Sequence, residues 1–115
     1  MDFERLDVWK RSARLSADLY VALKGLRDFG FRDQITRAGL SVPSNIAEGM
    51  TRPTAKDRTK FLYVAKGSCA ELRTQILIGM EIDYIDGDIG RAWTREAREI
   101  SAMLAGLIQR QPEYD

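Results

Sequence analysis

Residues 33–49, DQITRAGLSVPSNIAEG, decide the fold of this chain. Wound at 3.6 residues per turn, Ile35, Ala38, Val42, Ile46 and Met50 fall on one apolar stripe. Gln34, Arg37, Ser41, Asn45 and Glu48 fall on a polar stripe about 100° away. Two stripes of different chemistry need two different partners, so this helix belongs inside a bundle. Pro43 lacks an N–H and crowds the carbonyl of Gly39, which predicts a bend near residues 39–43, with Gly39 relieving the clash. The helix begins near Phe31, and Gly49 with Arg52-Pro53 ends it.

Working outward, Thr54 and Asp57 have capping-box spacing and start a third helix that should run to about Asp83. Its early face carries Phe61, Leu62, Ala65, Cys69, Leu72 and Ile76. From Ile76 to Ile82 it is apolar almost all the way round, so that end needs cover on more than one side. Ile76, Ile78, Met80 and Ile82 are therefore the candidate interface with another subunit. Before the opening stretch, Leu6, Trp9, Ala13, Ala17, Tyr20 and Leu23 recur at helical spacing within residues 4–26, with Asp2 as a possible cap and Gly25 and Asp28-Phe29-Gly30 as stop signals. After an acidic turn at residues 83–90, Ile89, Trp93, Ala97, Ile100, Leu104 and Leu107 form a seam of nearly heptad character. Arg91, Arg95 and Arg98 with Glu96 and Glu99 read as its solvated, salt-bridged outer face. The tail RQPEYD should fray. Four helices with short connections predict an all-α, antiparallel up-down four-helix bundle in one domain spanning residues 1–115.

Composition removes whole classes of chemistry. The chain has 115 residues, 44% of them hydrophobic and 30% charged, enough for a core without metal or disulfide support. With no histidine and one cysteine it offers no Cys/His metal cluster, no His-based catalytic pair and no intrachain disulfide, which suits a reducing cytoplasm. Its first residues lack the apolar core of a signal peptide, and no stretch is long and apolar enough to span a membrane. A net charge of +1 is far from the balance of a dedicated nucleic-acid binder, so any such role needs a local patch.

Two places could carry function. Folding helices 2 and 3 back around residues 51–53 sets Gln34 and Arg37 near Ser68 and Glu71, and Glu48 near Lys56. An ion pair between Arg37 and Glu71 is expected, with Ser41, Asn45 and Gln75 as neighbours, forming a structural polar seam. The most basic region is Arg52, Lys56, Arg58, Lys60 and Lys66, against the single acid Asp57; it could contact phosphates, weakly in one copy and strongly in several. Gly67 within the small cluster at residues 65–70 suggests close helix contact. Cys69, without a base and among apolar neighbours, reads as an inert buried thiol.

The segments FERLDVW (Phe3–Trp9), DQITRAGLSVPSNIAEGMTR and FLYVAKGSCAELRTQ resemble the 23S rRNA intervening-sequence proteins, also called S23 ribosomal proteins. The matching positions include Gln34, Arg37, Ser41, Pro43, Asn45, Glu48 and Gly49, then Gly67, Ser68, Glu71 and Leu72. The resemblance implies a cytosolic homopentamer of four-helix bundles with no established enzymatic activity. It also implies kinship with an accessory protein of diversity-generating retroelements that binds a reverse transcriptase and nucleic acid through a basic surface. The chain departs from the family pattern at Thr36, where relatives commonly carry a second basic residue, and at Gly39, where alanine is usual. The expected function is a non-enzymatic oligomeric scaffold that contacts RNA, DNA or a nucleic-acid enzyme, without cofactor or metal. The alternative is a protein-interaction adaptor that touches no nucleic acid.

Overall fold

The computed structural model describes residues 2–112, and everything it describes beyond turns is helical. A short 3-10 turn at Phe3–Arg5 precedes α1 (Asp7–Ala22), α2 (Phe29–Met50), α3 (Ala55–Glu81) and α4 (Gly87–Gln109). Of the tail expected to fray, residues 113–115 lie outside the described residues.

Each helix begins where an acceptor side chain satisfies otherwise unpaired N–H groups, with α1 as the exception. Asp28 accepts from Phe31 N at the start of α2, Thr54 from Asp57 N at the start of α3, and Asp86 from Asp88 N and Ile89 N at the start of α4. Asp2 caps the 3-10 turn and Leu6 precedes α1 without a side-chain cap, which is why α1 starts later than residue 4. Asp28 therefore acts as a start signal for α2, and α1 has already ended at Ala22. At the other end of α3, Asp83 adopts a left-handed φ of 62°. Tyr84 N and Ile85 N then both donate to Gly79 O, which closes the helix.

α2 continues unbroken through Pro43. Gly39 has a packing reason of its own: a Cβ there would come within 2.5 Å of Leu19 Cδ1, so its absence lets α1 lie close against α2. α2 and α3 run in opposite directions, since Gly49 faces Phe61 and Arg58 beside the turn while Ser41 meets Ser68 further away. α4 closes the bundle against α1 through Arg11, which reaches Glu96 and Glu99, and against α3 through Met80, which occupies the space a Gly90 side chain would need.

All four helices feed one hydrophobic core. Leu19, Ile35, Ile46, Leu62, Leu72, Ile76, Ile100 and Leu104 are completely enclosed or nearly so. Each such side chain is worth roughly 1.5–3 kcal/mol relative to exposure. The end nearest the α3–α4 turn is pinned by an edge-on contact of Phe31 with Tyr84 at 5.3 Å and by the Tyr84 hydroxyl donating to Asp28 Oδ2 at 2.9 Å.

Candidate functional site: two flanks of charge

The polar stripe of α2 meets α3 through its hydroxyls. Ser41 Oγ and Ser68 Oγ share a hydrogen bond of 2.8 Å, and Asn45 Nδ2 donates to both Ser41 O and Ser41 Oγ. The two polar faces therefore meet, one turn out of the expected register: Ser68, expected near Arg37, meets Ser41. The expected ion pair is a correction: among the described residues none joins Arg37 to Glu71, and both side chains are exposed. Both sit at the solvent edge, because Ala38 and Leu72, one position away on each helix, take the inward places. Gln34 is likewise exposed, and Glu48 pairs with Arg52 one turn later on the same chain segment, where Lys56 was expected. Gln75 Oε1 is enclosed without a partner.

The basic region at residues 52–66 divides into two groups. Arg52 lies over the Phe61 ring at 4.8 Å while pairing with Glu48. Arg58 Nη1 donates to the carbonyls of Arg52 and Pro53, both at 3.1 Å, and its Nε donates to Gln111 Oε1 at 2.9 Å. These two arginines tie the α2–α3 turn together and are poorly placed for a ligand. Lys56 and Lys60 stand one turn apart on the exposed side of α3, and Lys66 is half-buried further along.

The proposed subunit contact also divides. Ile76 belongs to the core and is fully enclosed, so it is not free for a partner, and Met80 is partly buried against the core. Ile78 and Ile82 are 49% and 46% exposed, and Leu77 beside them is 49% exposed. Tyr63 and Val64 extend exposed apolar surface along the outward side of α3. Gly67 is on that side too: a Cβ there would meet nothing, so it marks no close contact within the bundle.

The two flanks of α4 were not distinguished by sequence. Facing α1, Arg11 Nε donates to Glu96 Oε2 at 2.9 Å and Arg11 Nη2 to Glu99 Oε1 at 2.8 Å. The Arg11 hydrogen bond holds the Glu96 carboxyl below its ordinary value, and the two carboxylates raise Arg11 further. Facing α3, Arg91, Thr94, Arg95 and Arg98 line a groove of about 360 Å³ with Leu77 and Met80. Glu96 and Glu99 are engaged on the other flank, so they cannot neutralise those arginines. The signal available in sequence was the spacing of Glu96 and Glu99 by three residues, which places both on one flank; their partner, Arg11, is 85 residues from Glu96.

Cys69 is buried, and that burial pushes its thiol up to about 12, against the opposing influence of Arg73 and Lys66. It has no nucleophilic character at neutral pH. Thr36, which departs from the family pattern, is buried and donates its hydroxyl to Arg32 O at 2.7 Å, so this position points inward. No helix among the described residues is long and apolar enough to cross a membrane.

The fold is similar to a crystal structure of a protein of unknown function from the S23 ribosomal protein family of Bacteroides thetaiotaomicron. The similarity has a TM-score of 0.84 at 21% identity, covering 89% of this chain and 98% of that one. No curated protein matches the sequence. The family model for the 23S rRNA-intervening sequence protein matches residues 4–106, nearly the whole bundle, and the chain belongs to that family.

Proposed function

We propose that the protein is a non-enzymatic, homo-oligomeric helical scaffold of the cytoplasm, pentameric as its family resemblance suggests, that contacts RNA, DNA or a nucleic-acid enzyme through basic surface. The observation that carries the assembly is the outward side of α3, where Tyr63, Val64, Leu77, Ile78 and Ile82 leave apolar area in water. Leu77, Ile78 and Ile82 cluster within two turns, and clustered exposed apolar surface marks a partner site. In a ring, the exposed Lys56 and Lys60 of each copy would be repeated, and weak phosphate contacts would act together. The absence of histidine and the raised Cys69 pKa support a non-enzymatic role, since general acid–base chemistry would rest on carboxylates and lysines alone.

Light scattering on the wild type and on the pair Ile78→Glu, Ile82→Glu tests the assembly. An oligomer that the two substitutions dissociate is expected; a monomeric wild type would contradict it. The adaptor reading is favoured by one feature, an apolar surface groove of about 350 Å³ between α1 and α2 lined by Trp9, Ala13, Leu40, Pro43 and Ala47. A stoichiometric protein partner that survives nuclease treatment, together with no affinity for RNA or DNA, would establish that reading instead.

A further inference from the structure

We infer that the groove between α3 and α4 binds the phosphate backbone of a single nucleic-acid strand, with Arg95, Arg98 and Arg73 as the principal contacts and Arg91 and Lys66 at its two ends. This rests on the scaffold function proposed above and assigns its nucleic-acid contact to a different surface from the α2–α3 turn.

Three observations place the site. The first is sign. Between Asp88 and Pro112, the acids of α4 are Glu96 and Glu99, and both are held by Arg11 on the α1 flank. On α3 between Lys66 and Met80 the one acid is Glu71, which lies toward α2, where Ser68 bonds Ser41. The groove lining thus carries cations without acids, while its Arg91 end adjoins the acidic α3–α4 turn at Glu81, Asp83 and Asp86. Among the described residues Arg73, Arg95, Arg98 and Lys66 form no ion pair, whereas Arg91 has the exposed Asp88.

The second is arrangement. Leu77 lines the groove opposite the α4 arginines, and Arg73 lies one turn before it on the same side of α3. Lys66 comes two turns earlier still, and both reach close enough to Cys69 to influence its thiol. At 1.5 Å per residue, Arg91–Arg98 and Lys66–Arg73 each span about 10 Å, so an antiparallel pair of helices forms a cationic line of about 20 Å. The third is relief. Ala70, Ser101 and Ala105 provide short side chains beside this line, so a strand can approach the guanidinium groups closely. Arginine forks suit phosphate oxygens, and such contacts read charge and give no base preference. Ile78, Ile82 and Val64 are turned by about 100° or more from Leu77, so cover on that side leaves the groove open, with Leu77 at the edge shared by the two surfaces.

The test uses fluorescence anisotropy with a labelled oligouridylate of about 20 nucleotides, titrated from about 50 mM salt upward. Each phosphate contact on a single strand contributes about a factor of five at 0.1 M salt, so the pair Arg95→Gln, Arg98→Gln should weaken binding about 25-fold and make the log–log salt slope shallower by about 1.4. A control with the same change in net charge, Arg14→Gln with Arg37→Gln, should leave affinity within about twofold, since both are exposed on α1 and α2, which do not line the groove. Binding that is insensitive to the groove pair but lost on Lys56→Gln with Lys60→Gln would overturn this assignment and keep the scaffold's nucleic-acid contact. Absence of wild-type binding at the lowest salt would overturn both. Tighter binding of polyglutamate than of the RNA would reassign the groove to an acidic protein.

Discussion

The two flanks of α4 carry similar chemistry in sequence and opposite chemistry in space. On the α1 flank Arg11 is chelated by Glu96 and Glu99, which fixes how α1 and α4 meet. On the α3 flank Arg95 and Arg98 form no ion pair among the described residues. A count of five charges in nine residues describes both flanks equally; only the direction of the two glutamates separates a structural seam from an open cationic groove. The same contrast between positions that meet a neighbour and positions that do not recurs between the glycines of α2 and α3.

Those glycines give the largest difference. Gly49→Ala would place a Cβ 2.9 Å from Phe61 Cβ and 3.2 Å from Arg58 O, where backbone has little room to move. It should destabilise the fold by about 1–3 kcal/mol. Gly67→Ala meets open space and should stabilise it by about 0.5–1 kcal/mol through helix propensity. Urea unfolding of the two variants should move the midpoint in opposite directions, and a stabilised Gly49→Ala would break the contrast.

Next comes Arg11→Ala. Its hydrogen bonds are charge-assisted, but the side chains are 35% exposed for Arg11, 30% for Glu96 and 51% for Glu99, so water screens the interaction. A loss of about 1 kcal/mol is expected, while Arg98→Ala should stay within about 0.5 kcal/mol of wild type. Equal effects from the two would remove the distinction between the flanks.

The smallest effect is on pH. Arg11 depresses the folded pKa of Glu96 below the ordinary 4.5, so the seam's contribution is fully present above that value and is lost as pH falls through the folded pKa. The stability gap between wild type and Arg11→Ala should be constant from neutral pH down to about 5 and shrink in more acidic solution. A gap that persists at about pH 2 would assign the effect of Arg11 to packing on Met103, whose sulfur lies 3.6 Å from Nη1.

Much of the architecture was legible because it is local. Thr54 announced α3, and of the predicted seam Trp93, Ala97, Ile100, Leu104 and Leu107 are buried, while Ile89 at its start is exposed. The turn at residues 51–53 set the α2–α3 pairing to within about one turn, so that Ser68 meets Ser41 where Arg37 was expected. Rotation about each helix axis was less legible. One position decides whether Arg37 or Ala38 faces inward, and Gly67 looked like a contact because its lack of a side chain says nothing about direction. Arg52 and Arg58 counted as surface charge in sequence, yet the turn needs their stacking and their hydrogen bonds to carbonyls. The α4 groove was hidden for the same reason: glutamates beside arginines in sequence imply neutralisation, and a distant arginine on α1 removes it.

The most direct measurement is nitrogen-15 NMR of the arginine side-chain Nε–H signals during titration with the oligouridylate at low salt. The account predicts shifts at Arg73, Arg95 and Arg98, with Arg11 and Arg58 unmoved in their existing hydrogen bonds. Shifts confined to Arg52 and Arg58, with the α4 signals unchanged, would contradict it.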